Sequence, residues 1–356
     1  MSTGRQAKEK SVTNHRGSGT PTMRAVLQEG YGSADVLRVG SITRPAIAPD
    51  EVIIRVHAAG LDRGTWHIMT GLPYVLRLAF GFRTPKNPVP GLDLSGTVEA
   101  VGAKVSRFAV GDQVFGVGKG SFAEFASARE RQLAHKPASI TFEQAAVVPV
   151  SACTALQALR AAGVDPVAAG SSAGKRVLVT GASGGVGSYA VQFAKAAGAD
   201  VTAVCSAGKA DLVRSLGADH VIDYAIQDFA SGPVRYDVIV DIAGNPSLKR
   251  LRGALTPTGT AVITGGEEGG SWTGSLDRQF RALAWSWFIR QKLTMVIGSE
   301  GWEDLATISG LLEAGTIVPA IDQTFPLEQV PEAMRYFDAG KVRGKIAITV
   351  GPWRAQ

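Results

Sequence analysis

Residues 181–187 read Gly-Ala-Ser-Gly-Gly-Val-Gly, and the chemistry open to such a run is the binding of phosphate oxygens by backbone. Glycines let the chain approach a pyrophosphate closely. The first N–H groups of a helix starting there point at the oxygens, and its dipole adds about 0.3–1 kcal/mol. The context supports this use: residues 176–180 (RVLVT) read as a buried strand, and residues 184–197 as a helix. The spacing 181, 184, 187 departs from G-x-G-x-x-G, so the run alone leaves the cofactor open. About 20 residues beyond the first glycine, where a carboxylate would hold a ribose 2′-hydroxyl, stand Cys205, Ser206, Ala207, Gly208 and Lys209. A hydroxyl and an ammonium suit a 2′-phosphate, which a carboxylate would repel, so NADPH is favoured.

Other chemistries find less support. Cys153 and Cys205 are the only cysteines among 356 residues, too few for a disulfide framework or a cysteine-rich zinc site, and they fit a reducing compartment. Ser183 lies in the phosphate loop and not in a nucleophile elbow. The net charge of +6 invites a polyanionic partner, but Arg5, Lys8, Lys10 and Arg16 against Glu9 place half of it in residues 1–22. That tail has no apolar stretch for a secretory signal and reads as disordered. The uncharged run 177–194 carries four glycines and reads as strand, loop and helix rather than a bilayer span.

The elements that must position these residues follow two rhythms. From residue 23 to about 149, short β-branched runs such as 51–58, 93–101, 113–117 and 122–126 are bounded by Gly, Pro and Asp, the pattern of a mostly antiparallel β domain. Beyond it strands and helices alternate: strands at 176–180, 201–205, 221–224, 237–242, 260–264 and 293–297, helices at 184–197, 209–216 and 247–255. Strands without strict alternation, separated by helices, imply a parallel sheet covered on both faces. Residues 318–350 return to β-like text around a helix at 330–338, as if rejoining the first unit. The expected fold class is α/β, a doubly wound parallel (Rossmann) sheet inserted into a mostly β domain. Its expected divisions are the tail 1–22, a substrate domain of 23–149 plus 300–356, and a nucleotide-binding domain of 150–299.

Several ordered motifs carry a resemblance: residues 31–39 (YGSADVLRV), 90–96 (PGLDLSG), 110–115 (VGDQVF), the GASGGVG loop, 216–222 (LGADHVI) and 344–347 (GKIA). Together they resemble the medium-chain dehydrogenase/reductase superfamily, in particular its zinc-free quinone oxidoreductase branch with a GroES-like catalytic domain. In zinc-using relatives the metal needs a cysteine after the second strand and a Gly-His-Glu turn. Here those places hold Leu61-Asp62 and Gly91-Leu92-Asp93. The resemblance therefore implies no zinc site, and it sets Asp62 where an asparagine usually approaches the nicotinamide ribose. It also implies that Thr154 lies near the nicotinamide and that Ser183, Gly184, Gly185 and Val186 serve the pyrophosphate. Ser206, Lys209 and Tyr224 would surround the 2′-phosphate, Gly244 and Gly265 would line the two halves of the cofactor, and Lys345 would close from the C-terminal segment. A homodimer is implied as well.

Without a metal to stabilise an alkoxide, suitable acceptors disperse the incoming charge themselves: quinones, or α,β-unsaturated carbonyls. The enzyme then supplies orientation in a dry cleft and a hydrogen bond, for which His67 and Tyr74 are the candidates, with Thr65 beside them. Residues 72–82 and 270–293 are strongly apolar, and Phe280, Leu283, Trp287 and Phe288 recur at helical spacing, which reads first as core or dimer packing and second as a hydrophobic substrate wall. The leading expectation is a cytoplasmic, zinc-independent, NADPH-dependent reductase of quinones or enones, with no membrane contact and with nucleic acid disfavoured. An enoyl-thioester reductase is the second reading. A cofactor-sensing protein whose tail contacts nucleic acid is the third.

Overall fold

The structure, a computed structural model, describes residues 21–265, 270–274 and 276–351; the expectation of a disordered tail concerns residues that lie almost wholly outside the described ones. One unit is a parallel six-stranded sheet whose spatial order is His220–Asp223, Asp200–Cys205, Arg176–Thr180, Tyr236–Asp241, Leu255–Ile263, Lys292–Met295. In chain order that is 3-2-1-4-5-6, the doubly wound arrangement. The strands alternate in side chain but are apolar on both faces. Val177, Val179, Val238 and Val240 enter one core, while Leu178, Ile239 and Ala261 enter the other. Helices Pro149–Ala161, Gly185–Ala196 and Trp302–Glu313 cover the first face; Leu248–Ala254 and Leu276–Ser286 cover the second. The strand order reverses between Arg176–Thr180 and Tyr236–Asp241, which opens a crevice at their carboxyl ends.

The other unit is a seven-stranded mixed sheet built around Glu51–Leu61. Its first half pairs with Phe125–Arg129, and residues 58–61 pair antiparallel with Lys345–Thr349, while the opposite edge pairs with Asp93–Val101. Register shifts at Ile53/Ile54 and Val56/Ala58 bend the strand, as bulges do, and this bend lets one edge serve two partners. The strand delivers Leu61 and Asp62 to the junction between the sheets. Helix Pro149–Ala161 joins the units: Leu156 and Leu159 share one core with Phe115 of the mixed sheet and Val177 of the parallel sheet. The α/β class, with a Rossmann sheet carried on a GroES-like unit, is thus the observed fold.

Differences from the sequence reading are local. Leu37–Thr43 forms a strand against Thr22–Gln28, an element unread because most of its side chains face outward. The strand expected at 122–126 runs instead over Phe125–Arg129, and the helix expected from 209 is preceded by a tight turn, Ala207–Lys209, before Ala210–Ser215. Among the described residues no helix is long and apolar enough to cross a membrane.

Candidate active site

Gly181 turns the chain out of strand Arg176–Thr180 with φ of +62°, a left-handed conformation that glycine adopts without strain. Gly187 is there for a different reason. A Cβ at this position would lie 2.2 Å from the Gly181 carbonyl oxygen, so only glycine lets the helix pack this close to the loop. Helix Gly185–Ala196 is preceded by Gly184, which has no side chain to cap it, and the first-turn N–H groups are offered to whatever occupies the crevice. Space beside Gly184 is open except for the Gly181 carbonyl at 3.3 Å. The loop is latched from the C-terminal segment, because the Gly344 N–H donates to the Ser183 carbonyl at 2.8 Å.

Behind this loop lies a buried cluster. The Lys345 ammonium donates to Ser151 Oγ at 3.0 Å and stands 3.4 Å from Asp93 Oδ2, with both ends of the pair almost wholly buried. The other Asp93 oxygen accepts the Val150 N–H at 2.9 Å. A Cβ on Gly185 would meet the Lys345 Cδ and Ser151 Oγ, each at 2.9 Å, so the lysine stem packs against the first turn of the phosphate helix. Burial pushes the Asp93 carboxyl well above the usual carboxylate range; Lys345 pulls it back, and the nearby Asp62 and Glu300 push it further. Glu300 is itself raised, by burial first and by Asp62 among the rest. The sequence reading has Lys345 closing on the cofactor from the C-terminal segment; in the structure its ammonium contacts Ser151 and Asp93.

Asp62 caps helix Arg63–Thr70, its Oδ1 accepting the Thr65 N–H at 2.6 Å. Its Oδ2 and the Thr65 hydroxyl are buried and have no hydrogen-bond partner among the described residues. Thr154, on helix Pro149–Ala161, donates to the Val150 carbonyl at 2.7 Å and faces Gly298, where a Cβ would come within 2.7 Å of its hydroxyl. Ser206 and Tyr224 follow the ends of neighbouring parallel strands, and Lys209 reaches across to donate to the Gly340 carbonyl at 2.9 Å. Gly244 follows strand Tyr236–Asp241 with φ of +93°, and Gly265 follows Leu255–Ile263 with its carbonyl 3.3 Å from Arg278 Nη2. The crevice therefore gathers every cofactor candidate at the carboxyl ends of the parallel strands or at the junction.

The two candidate donors lie in the segment over the junction. His67 is on helix Arg63–Thr70, and its Nδ1 is 2.5 Å from the Leu72 carbonyl. A carbonyl only accepts, so Nδ1 carries the proton and donates to it. Tyr74 is anchored through its backbone N–H to the Ser271 carbonyl at 2.8 Å, with its ring 5.3 Å from that of Trp272 and under the Arg77 guanidinium.

One network escaped the sequence reading. Arg278 donates to Asp241 Oδ2 at 2.6 Å and to the Pro246 carbonyl at 2.7 Å, and Asp241 Oδ1 accepts from the Thr180 hydroxyl at 3.1 Å. The pair is buried, and burial raises the Asp241 carboxyl against the pull of Arg278. Thr180 and Asp241 end strands 1 and 4 of the parallel sheet, on the two sides of the crevice, and Arg278 ties them to helix Leu276–Ser286. Asp241 ends the strand YDVIVD, and a carboxylate directly after the apolar run Val238–Val240, at the inner end of a buried strand, was the available signal.

A buried strand, a tight glycine turn, a capless helix start and a crevice between two units define a nicotinamide-dependent oxidoreductase with a GroES-like domain, and the chain belongs to the medium-chain dehydrogenase/reductase superfamily. Residues 48–138 match the family described as alcohol dehydrogenase GroES-like domain, and residues 216–348 match the one described as zinc-binding dehydrogenase. The chain is 33% identical to the mouse protein "NAD(P)H oxidoreductase RTN4IP1, mitochondrial", over 94% of this chain and 92% of that one. It is 32% identical to the tomato protein "2-methylene-furan-3-one reductase", covering 92% of this chain and 79% of the other. Among solved structures, the quinone oxidoreductase from Coxiella burnetii superposes with a TM-score of 0.80 at 25% identity, over 93% of this chain and all of that one. The protein is thus an NAD(P)H-dependent oxidoreductase. Among the described residues, no group of three or more His, Cys, Asp or Glu side chains is placed to hold a metal.

Proposed function

We propose that this protein is a zinc-independent, NADPH-dependent reductase of quinones or α,β-unsaturated carbonyls. The observation that carries the reading is the junction itself: a capless helix start, Thr154, and the orphaned Asp62 Oδ2 surround one crevice between the two sheets. These features fit a dinucleotide. The N–H groups of Gly185 and Val186 would hold the pyrophosphate, with Ser183 and Gly184 in the same loop, and Asp62 Oδ2 would accept from a ribose hydroxyl. Thr154 would orient the nicotinamide, with Gly244 and Gly265 leaving room for the cofactor's two halves. Ser206, Lys209 and Tyr224 would take the 2′-phosphate.

When bound, the cofactor supplies a hydride. The chain holds the acceptor against it, excludes water and steadies the acceptor oxygen. Tyr74, through its hydroxyl, and His67 are the candidate donors to that oxygen. Lys345 and Ser151 fix the first turn of the phosphate helix from behind. The buried, unpaired cysteines suit a reducing, cytoplasmic setting.

Lys209→Ala should weaken NADPH binding about tenfold or more while leaving NADH nearly unchanged, read by fluorescence titration with both cofactors. Equal loss for the two would remove the 2′-phosphate role. Steady-state assays should show quinones and enones reduced at the same rate before and after chelator treatment. A trans-2-enoyl thioester reduced faster than any of them would make the enoyl-thioester reading the correct one, and loss of activity with the chelator would restore a metal.

A further inference from the structure

We propose that Glu300 hands over the proton that accompanies the hydride, an inference that rests on the reductase reading above. Glu300 stands in the segment 296–301 between strand Lys292–Met295 and helix Trp302–Glu313, at the carboxyl end of the parallel sheet, where the crevice opens. The segment is pinned to helix Pro149–Ala161. Gln157 Nε2 donates to the Ser299 carbonyl at 2.6 Å, and the Ser299 N–H donates back to Gln157 Oε1 at 3.2 Å. One residue earlier, Gly298 lies against Thr154. A Cβ there would be 2.7 Å from the Thr154 hydroxyl and 3.8 Å from Glu300 Oε1, so the two oxygens flank the same point at the junction.

Charge around that point calls for a proton. Three carboxyls from separate elements lie within electrostatic reach of one another: Asp62 before helix Arg63–Thr70, Asp93 at the start of strand Asp93–Val101, and Glu300. The Lys345 ammonium beside them is engaged with Asp93 and Ser151. The Cys153 thiol, on helix Pro149–Ala161, is pushed up by burial and by Glu300, Asp304 and Asp93, so it brings no charge; Asp304 itself is paired with Arg160 at 2.6 Å. Asp62 is 4% exposed, yet its Oδ2 takes no hydrogen bond among the described residues, so this carboxyl faces a polar position that the chain leaves unfilled. Burial raises the Glu300 carboxyl, its own backbone N–H opposes the rise, and Asp62 adds to it. Three carboxylates around one ammonium in a dry junction resist full ionisation. Asp93 is wholly buried, and Asp62 is tied to a helix start. Glu300 is half-exposed, so its proton is the one that can reach the crevice.

The step balances without a further reagent. The hydride oxidises the dihydronicotinamide and reduces the acceptor, and the displaced π pair settles on the conjugated oxygen. The O–H bond of Glu300 then breaks, and its proton forms the α C–H bond of a saturated carbonyl or the O–H bond of a hydroquinone. The carboxylate left behind takes a proton from water once the product has gone. Tyr74 and His67 keep a separate task, a hydrogen bond to the oxygen while charge sits there. A carboxyl suits proton donation when its surroundings delay ionisation toward the working pH, and such general acids contribute about 10²–10⁴ in rate.

The test pairs two readouts on the full chain. In steady-state assays with NADPH and an enone, Glu300→Gln should lower kcat about a hundredfold or more. NADPH affinity and thermal unfolding should stay nearly unchanged, because the amide keeps the shape and an accepting oxygen but carries no acidic proton. The loss should be smaller with a quinone, whose phenolate can leave unprotonated. Wild-type kcat for the enone should fall as pH rises through the Glu300 titration, and the glutamine variant should lack that limb, while Glu300→Asp restores part of the rate. Without cofactor or substrate, infrared difference spectra of wild type against Glu300→Gln should show a protonated carboxyl that persists at a pH where ordinary glutamates are ionised. A glutamine variant with near-normal kcat, a pH limb that survives in it, equal losses for both acceptors or a missing infrared band each overturns the proposal and leaves the reductase reading standing. A wild type inactive toward the enone also overturns it, and one inactive toward both acceptors overturns the reductase reading as well.

Discussion

Replacing Asp241 with leucine should cost about 3–5 kcal/mol of stability, the usual consequence of leaving one half of a buried ion pair behind. Arg278 would keep its bonds to the Pro246 and Gly265 carbonyls, but its charge would be left buried and uncompensated. Thr180 would lose an acceptor as well, at the point where the strand enters the phosphate loop. Adding Arg278→Met should recover most of the loss, since a well-packed apolar pair can replace a buried ionic one at little cost. Urea unfolding of the two variants checks both statements. A single change worth less than about 1 kcal/mol would show that the pair is solvated and braces nothing.

Lys345→Met is the second large effect, and its size depends on pH. The Asp93 carboxyl is raised in the folded protein, so the native state holds a proton that the unfolded chain releases, and stability falls as pH climbs above the ordinary carboxylate value. Removing Lys345 takes away the one cation that opposes this. The variant should therefore be close to wild type in acid, where Asp93 is protonated folded or unfolded, and lose about 3–5 kcal/mol as pH rises to neutrality and above. Asp93→Asn in the same background should flatten the profile. Melting temperatures across a pH series would check this, and a loss that does not vary with pH would mean that Asp93 does not titrate in the folded state.

What the sequence made legible was periodic or local. The RVLVT strand, the glycine loop and the helix behind it announce themselves because their residues are adjacent, and each obeys one backbone rule. The hidden parts depend on distant pairings. Asp93 and Lys345 are 252 positions apart and meet only because strand Lys345–Thr349 joins the bent strand Glu51–Leu61. Asp241 and Arg278 look like a strand end and a helix surface residue until the sheet order is known. The strand Leu37–Thr43 was missed because its partner, and not its own pattern, holds it in place. Helical spacing in 280–288 was read first as core or dimer packing; within the single chain the buried positions of this helix are instead Arg278, Gln279 and Ala282, the arginine held by Asp241.

The Gly344 N–H latch and the Lys345 ammonium together set an order of assembly during synthesis. A nascent chain that has emerged to residue 343 holds every strand of the parallel sheet and the whole glycine loop. It still lacks the donor that fixes Ser183 and the cation that neutralises Asp93. On the ribosome the parallel sheet can thus gain its shape well before the glycine loop is latched, and the latch arrives with strand Lys345–Thr349.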